Sequence, residues 1–160
     1  MNLSTLSVTR IVRPPNICVC IHSSLLFSDK AGSVSIDLSK VTKLKDAAFG
    51  PGLWDVEWIT MTLQTIAPAH RDLRRISIYI PYRSDDLGRH FTQTIEEAIL
   101  RQWLGLDRLL VQLWESHSIR PRVAHLKSEG EEENEWMREC IEGLLPETTG
   151  RGIIELAEFT

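Results

Sequence analysis

The stretch "RRISIYIPY", Arg74–Tyr82, decides the predicted fold. Its three isoleucines alternate with other residues, and strict alternation predicts a β-strand with one buried face. Pro81 should end the strand, because proline cannot donate to a sheet ladder. The isoleucines should then face covering helices, and the opposite face should carry the candidate partner-binding residues, Arg75, Ser77 and Tyr79. Tyr79 is the expected anchor, because tyrosine offers a large, rigid contact with a polar tip.

Helical patterns lie on both sides of this strand. Apolar residues recur every three or four positions from Val56 to Ile66, which predicts an amphipathic helix. A second helix should begin at Ser84, where a hydroxyl and two aspartates suit a helix start. It should continue into "WLGLDRLLVQLWES", 103–116, with a predicted interruption at Gly105.

The segment 103–116 is predicted to be a crossover helix that covers the sheet. Trp103 and Trp114 should lie at the edges of its apolar face, and Asp107 and Arg108 on its other side. The leucines that share the apolar face are Leu106, Leu109, Leu110 and Leu113.

Two more helix and strand patterns complete the second half. "RVAHL", 122–126, predicts a strand, and the acidic run 129–135 leads into a helix that reaches Leu145. "IIELAEF", 153–159, predicts the final strand. Alternation of helices and strands from residue 53 onward favours a parallel sheet. The predicted fold is α/β, a degenerate leucine-rich-repeat-like helix–strand solenoid; a small open α/β sheet is the alternative.

The first half of the sequence, residues 1–49, shows the patterns of strands. The patterns around Leu6 and Val8, in "ICVCIH" (17–22) and in "SVSIDL" (33–38) each predict one. We expect a single domain over 1–160, with a strand-rich part over 1–49 and an alternating part over 50–160.

Composition limits the function classes. The chain has 160 residues, 42% hydrophobic and 25% charged, which is typical of a globular protein. A net charge of −4 argues against a nucleic-acid partner. No apolar run approaches the roughly 20 residues of a membrane span. Three cysteines without disulfide-like spacing indicate a reducing compartment, so we expect an intracellular protein, cytoplasmic or nuclear.

Candidate chemistry is sparse. Cys18, Cys20 and His22 are zinc-ligand types, but residues on one flat strand cannot converge on a tetrahedron, so we predict buried cysteines and no metal. The other histidines are scattered, and no catalytic or cofactor signature is present. Arginines at 71, 74, 75 and 83 could bind an anion, but they are too few, and too interleaved with Asp72, for nucleic acid.

Three stretches carry a family resemblance: "LRRISIYIP", "WLGLDRLLVQL" and "IEGLLPETTGRGIIELAEF". They resemble the C-terminal region of fungal F-box-type proteins, which have leucine-rich-repeat-like bodies. The resemblance covers roughly residues 50 to 160. It places Trp103, Leu106, Asp107 and Leu110 on a covering helix, and Leu144, Leu145, Pro146, Arg151 and Gly152 at the last helix and its exit. The F-box itself, a Leu-Pro-x-Glu-type three-helix segment, is absent from the sequence.

The resemblance implies a non-enzymatic protein-recognition module, similar to the target-binding body of a ubiquitin-ligase adaptor. Two alternatives remain open at this point. One is a small α/β enzyme or ligand-binding domain, whose site would lie past the carboxyl ends of the strands, at 81–84, 127–129 and 159–160. The other is a structural cap of a longer solenoid.

Overall fold

The computed structural model describes residues 6–13, 16–23, 37–39, 44–50, 56–66, 70–80 and 97–159, the first two ranges by their backbone. The strands are β1 (Leu6–Arg13), β2 (Asn16–Ser23), β3 (Leu44–Gly50), β4 (Arg75–Ile80), β5 (Arg120–Leu126) and β6 (Glu155–Phe159). The helices are α1 (Glu57–Leu63), α2 (Glu97–His117), α3 (Glu131–Leu144) and α4 (Pro146–Gly150).

The strands form one sheet in which spatial order equals chain order. β1 runs antiparallel to β2, and the four other neighbouring pairs are parallel. Parallel neighbours need a long crossover connection, and the helices lie in those connections between β3 and β6. The predicted α/β class with a parallel sheet is therefore confirmed, as is the prediction that β4, β5 and β6 are parallel neighbours.

One face of the sheet packs against the helices. Ile76 aligns with Ala47, and Ile78 aligns with Phe49 and Val123, so the same face is buried across three strands. Phe49 also packs on Trp58 of α1, with ring centroids 5.8 Å apart. The hydrophobic core includes, from the helices, Ile59, Leu63, Trp103, Leu106, Leu110, Leu113, Met137, Ile141 and Leu144.

The predicted helix start at Ser84 lies outside the described residues; from residue 97 onward, helix α2 covers this face as predicted, with two corrections. It runs without interruption through Gly105, where a side chain would meet no atom within 4 Å. Asp107 is fully buried and does not lie on a solvent side. Its Oδ2 accepts a hydrogen bond from the backbone N–H of Glu147 at 2.7 Å, and its Oδ1 one from Thr148 at 3.0 Å.

Those contacts explain why a carboxylate is buried there. The first backbone N–H groups of a helix have no partner within the helix. The residue before α4 is Leu145, which has no side-chain oxygen, so it cannot cap the helix itself. Asp107 on α2 provides the cap, and thereby fixes α4 against α2.

The first half differs from expectation at one place. β1 and β2 are confirmed as strands, and β1 ends at Arg13, just before two prolines. Strand β3 was not predicted. The pattern at 33–38 lies largely outside the described residues; its last two residues, Asp37 and Leu38, are not in a strand.

Candidate functional site

The sheet face opposite the core cluster is the first candidate site, and we call it the second face. Its residues are the ones that alternate with the core positions in β3 to β6. They are Asp46 and Ala48, then Arg75, Ser77 and Tyr79, then Arg120, Arg122, Ala124 and Leu126, then Glu155, Ala157 and Phe159. Aligned residues of parallel strands share a face, so these side chains form rows across the sheet.

An aromatic pair lies on the second face near the carboxyl ends of the strands. The rings of Tyr79 and Phe159 meet edge to face, with centroids 5.6 Å apart and an interplanar angle of 81°. The pair spans β5, whose Ala124 aligns with Tyr79 and is 1% exposed. A small residue at that position leaves room for the two rings to meet, and both rings remain half-buried.

The rows before the aromatic pair are polar. Arg122 Nε lies 3.2 Å from Glu155 Oε1, so this neighbouring arginine and glutamate neutralise each other. Arg75 aligns with Asp46 on one side and with Arg120 on the other, and both arginines are exposed. The second face therefore combines an aromatic contact area with a charged border.

The three predicted partner-binding residues all lie on the second face, but they differ in exposure. Arg75 is exposed, Tyr79 is half-buried, and Ser77 is only 6% exposed. Ser77 therefore offers a partner little surface. Phe159 was not singled out from sequence, although the alternation in "ELAEF" places it on the same face as Glu155.

A second candidate lies at the carboxyl edge of the sheet, where open α/β sheets bind ligands. His125 is fully buried near the end of β5, aligned with Ile80 and Glu158. Its Nδ1 lies 3.1 Å from the carbonyl oxygen of Leu126, which can only accept, so Nδ1 donates there. Its Nε2 has no hydrogen-bond partner among the residues that the structure describes.

A cavity of about 570 Å³ lies between α3 and β6. Its lining comprises Lys127, Glu131, Asn134, Glu135, Arg138, Glu139, Glu142 and Glu158. The cations are already engaged, since Arg138 lies 2.7 Å and Lys127 3.9 Å from the carboxylate of Glu158. The free charge in the cavity is therefore negative.

The remaining candidates contribute little. His70 is buried with Nε2 2.8 Å from the Leu38 carbonyl oxygen, which is a structural contact. Burial raises the pKa of the Cys140 thiol to about 11, with a smaller contribution from Glu139, so this cysteine is a poor nucleophile. In the part of the chain that the structure describes, no three His, Cys, Asp or Glu residues are placed to hold a metal. The side chains of Cys18, Cys20 and His22 lie outside that part.

Comparison of the chain with protein-family models, with curated proteins and with solved structures finds no match. No helix among the described residues has the length and apolar character needed to cross a membrane. Fold and surface thus define an α/β protein with a sequentially ordered sheet, an aromatic pair on the face away from the core, and an acidic cavity at one edge.

Proposed function

We propose that this chain is a non-enzymatic protein-recognition module that contacts its partner through the second face of the sheet. The observation that carries the proposal is the half-buried Tyr79–Phe159 pair bordered by the exposed Arg75. Tyrosine and arginine are enriched among the residues that dominate protein interfaces, and an aromatic pair fixes its rings before a partner arrives.

The order of the strands supports the same proposal. A sheet built in chain order, with helices in the crossovers, is the arrangement of leucine-rich-repeat bodies. Such bodies bind partners along the strand face that the helices do not cover. A role like that of the target-binding body of an F-box-type adaptor is therefore consistent with both the resemblance and the sheet.

The proposal is tested by recovery of co-purifying proteins with an immobilised full-length chain. Tyr79→Ala should lose the specific partners while the thermal midpoint stays within a few degrees of wild type. Trp114→Ala is the matched control, because Trp114 is 36% exposed but lies on α2, away from the second face. Equal loss of partners in both variants, or partners retained by Tyr79→Ala, would overturn the proposal.

The carboxyl edge favours a second candidate function, a small-ligand-binding or enzymatic domain. The observations behind it are the Nε2 of buried His125, which has no partner within the described part of the chain, and the cavity of about 570 Å³ between α3 and β6. A buried polar atom without a partner is uncommon in proteins and is found at functional sites. This candidate comes second because the described cations that line the cavity are already paired with Glu158, and the pKa of the Cys140 thiol beside Glu139 is raised to about 11.

A further inference from the structure

The arginines whose side chains the structure describes fall into two groups by their partners. Five of them form ion pairs with a glutamate: Arg101, Arg108, Arg122, Arg138 and Arg151. The other four side chains, among the residues the structure describes, have neither an ion pair nor a hydrogen bond. They are Arg71, Arg74, Arg75 and Arg120, all exposed, and we call them the arginine patch.

The arginine patch is held together by the backbone at the amino ends of β4 and β5. Arg75 and Arg120 are aligned residues of neighbouring strands, so their Cα atoms are about 4.8 Å apart. The carbonyl oxygen of Arg74 accepts a hydrogen bond from the Arg120 N–H at 3.1 Å. Arg71 lies in the turn just before, which the Leu73 N–H closes onto the His70 carbonyl at 3.1 Å.

Arg75 and Arg120 are aligned on the second face and neither is paired with a described carboxylate, so their guanidinium groups repel each other, and a bound anion would relieve that repulsion. We propose that the arginine patch docks a carboxylate-rich segment of the protein partner. This inference rests on the proposed function, because Arg75 belongs both to the patch and to the second face. It adds the chemistry of the partner, which is a run of acidic residues.

The arrangement of the patch favours carboxylates over phosphate. A single phosphate is bound by guanidinium or backbone N–H groups that converge on one point, usually partly buried. These four side chains are exposed and spread over a turn and two strand starts. Each can pair with a different carboxylate of an extended acidic segment, and guanidinium groups bind carboxylates bidentately.

Nucleic acid fits this surface less well. The whole chain carries a net charge of −4, and α3 presents exposed glutamates at 131, 132, 133, 135, 139 and 142. A long polyanion would extend beyond four arginines and meet this opposing field.

Asp46 provides an opposite-sign test. It aligns with Arg75 in β3 and forms no ion pair with any residue that the structure describes, so its charge lowers the positive potential of the patch. Removing that charge should strengthen binding of an acidic segment, whereas removing an arginine should weaken it. A merely structural role for these residues would not produce changes of opposite sign.

The experiment is fluorescence anisotropy with the full chain and a labelled peptide of ten glutamates. Arg75→Ala and Arg120→Ala should each weaken binding about fivefold, Asp46→Asn should strengthen it, and added salt should weaken it. Arg101→Ala is the matched control: it removes the same charge from an exposed arginine already paired with Glu97, and should leave affinity unchanged. Thermal midpoints are measured for every variant.

Three outcomes would overturn the inference. They are absence of saturable peptide binding, equal weakening by Arg101→Ala, and tighter binding of inorganic phosphate or a ten-residue oligothymidylate than of the glutamate peptide. If the peptide experiment gives one of these outcomes while partner recovery still depends on Tyr79, only the acidic-segment inference fails. If the wild-type chain binds the glutamate peptide but recovers no specific protein partner, the proposed function would fail instead.

Discussion

The carboxylate of Asp107 caps helix α4 from a position forty residues earlier in the chain, 2.7 Å from the backbone nitrogen of Glu147. Asp107→Ala should lower the free energy of unfolding by about 2–3 kcal/mol, because two backbone N–H groups lose a charged acceptor. Urea denaturation measures the change. The neighbouring Arg108→Ala is the control: its 3.5 Å ion pair with Glu147 is solvent-exposed, so it should change stability by less than about 0.5 kcal/mol. Similar values for both variants would contradict the capping role.

Leu110 lies at the centre of the α2 core face and is 1% exposed. Leu110→Ala should lower stability by about 2–5 kcal/mol, through lost burial and the cavity left behind. Leu100→Ala, on the same helix but 38% exposed, should cost less than about 1 kcal/mol. A denaturant midpoint unchanged by the first substitution would mean that this helix face is a surface.

The Tyr79–Phe159 contact should be measurable as a coupling energy. Tyr79→Leu, Phe159→Leu and the double variant form a thermodynamic cycle in urea denaturation. Edge-to-face aromatic pairs contribute about 0.5–1.5 kcal/mol beyond the area they bury, so the coupling free energy from the cycle should fall in that range. Strict additivity of the two single substitutions would show that the rings do not support each other.

His125 should respond to substitution differently from His70. His125→Leu removes the buried Nε2, which has no partner among the described residues, but also the 3.1 Å bond from Nδ1 to the Leu126 carbonyl; the two effects oppose each other, so stability should change by less than about 1 kcal/mol. His70→Leu removes the 2.8 Å contact with the Leu38 carbonyl and should lower stability by about 1–3 kcal/mol. If His125→Leu is as damaging as His70→Leu, the His125 ring has a native partner and the carboxyl-edge candidate gains support.

Alkylation of Cys140 should be slow. With its pKa raised from 9.0 to about 11, the thiolate fraction near pH 8 falls roughly 100-fold, and iodoacetamide labelling should slow in proportion. A Cys18→Ser/Cys20→Ser variant isolates this thiol, and the same protein in urea gives the reference rate. Because folding raises this pKa, its stabilising contribution is complete below about pH 9 and is lost as the pH rises toward about 11. Equal folded and unfolded rates would contradict this burial.

Sequence periodicity was enough to predict the α/β class and the parallel strands β4, β5 and β6. Isoleucine alternation in β4 and the leucine spacing in α2 follow directly from which face is buried. Strand β3 was missed for a physical reason. Its register with β2 shifts between Ile17 and Cys18, so Lys45 is left out of the pairing. Leu44 and Ala47, three residues apart, are then both buried, and the alternation that identifies a strand is lost.

The site was less predictable because its contacts join distant parts of the chain. The alternation in β4 predicts which face of the sheet carries Tyr79. Its contact with Phe159, however, depends on β4, β5 and β6 being neighbours and on the small Ala124 between the two rings. Likewise, the spacing of the leucines in α2 predicts that Asp107 lies on the solvent side of the helix. Only the position of α4 makes its burial favourable, because α4 supplies two N–H groups.

The sequential sheet has a consequence for how the chain assembles. Each described strand pairs with the strand made just before it, so a growing polypeptide can add strands in the order of synthesis without waiting for a later segment to insert between them. Each parallel pairing still joins segments far apart in the chain, as Arg75 with Arg120, so loop-closure entropy makes each pairing slow to form. The same order makes the architecture extensible: a further crossover and strand could join beyond β6 without disturbing any earlier pair, and descendants could differ in length while keeping the same surface.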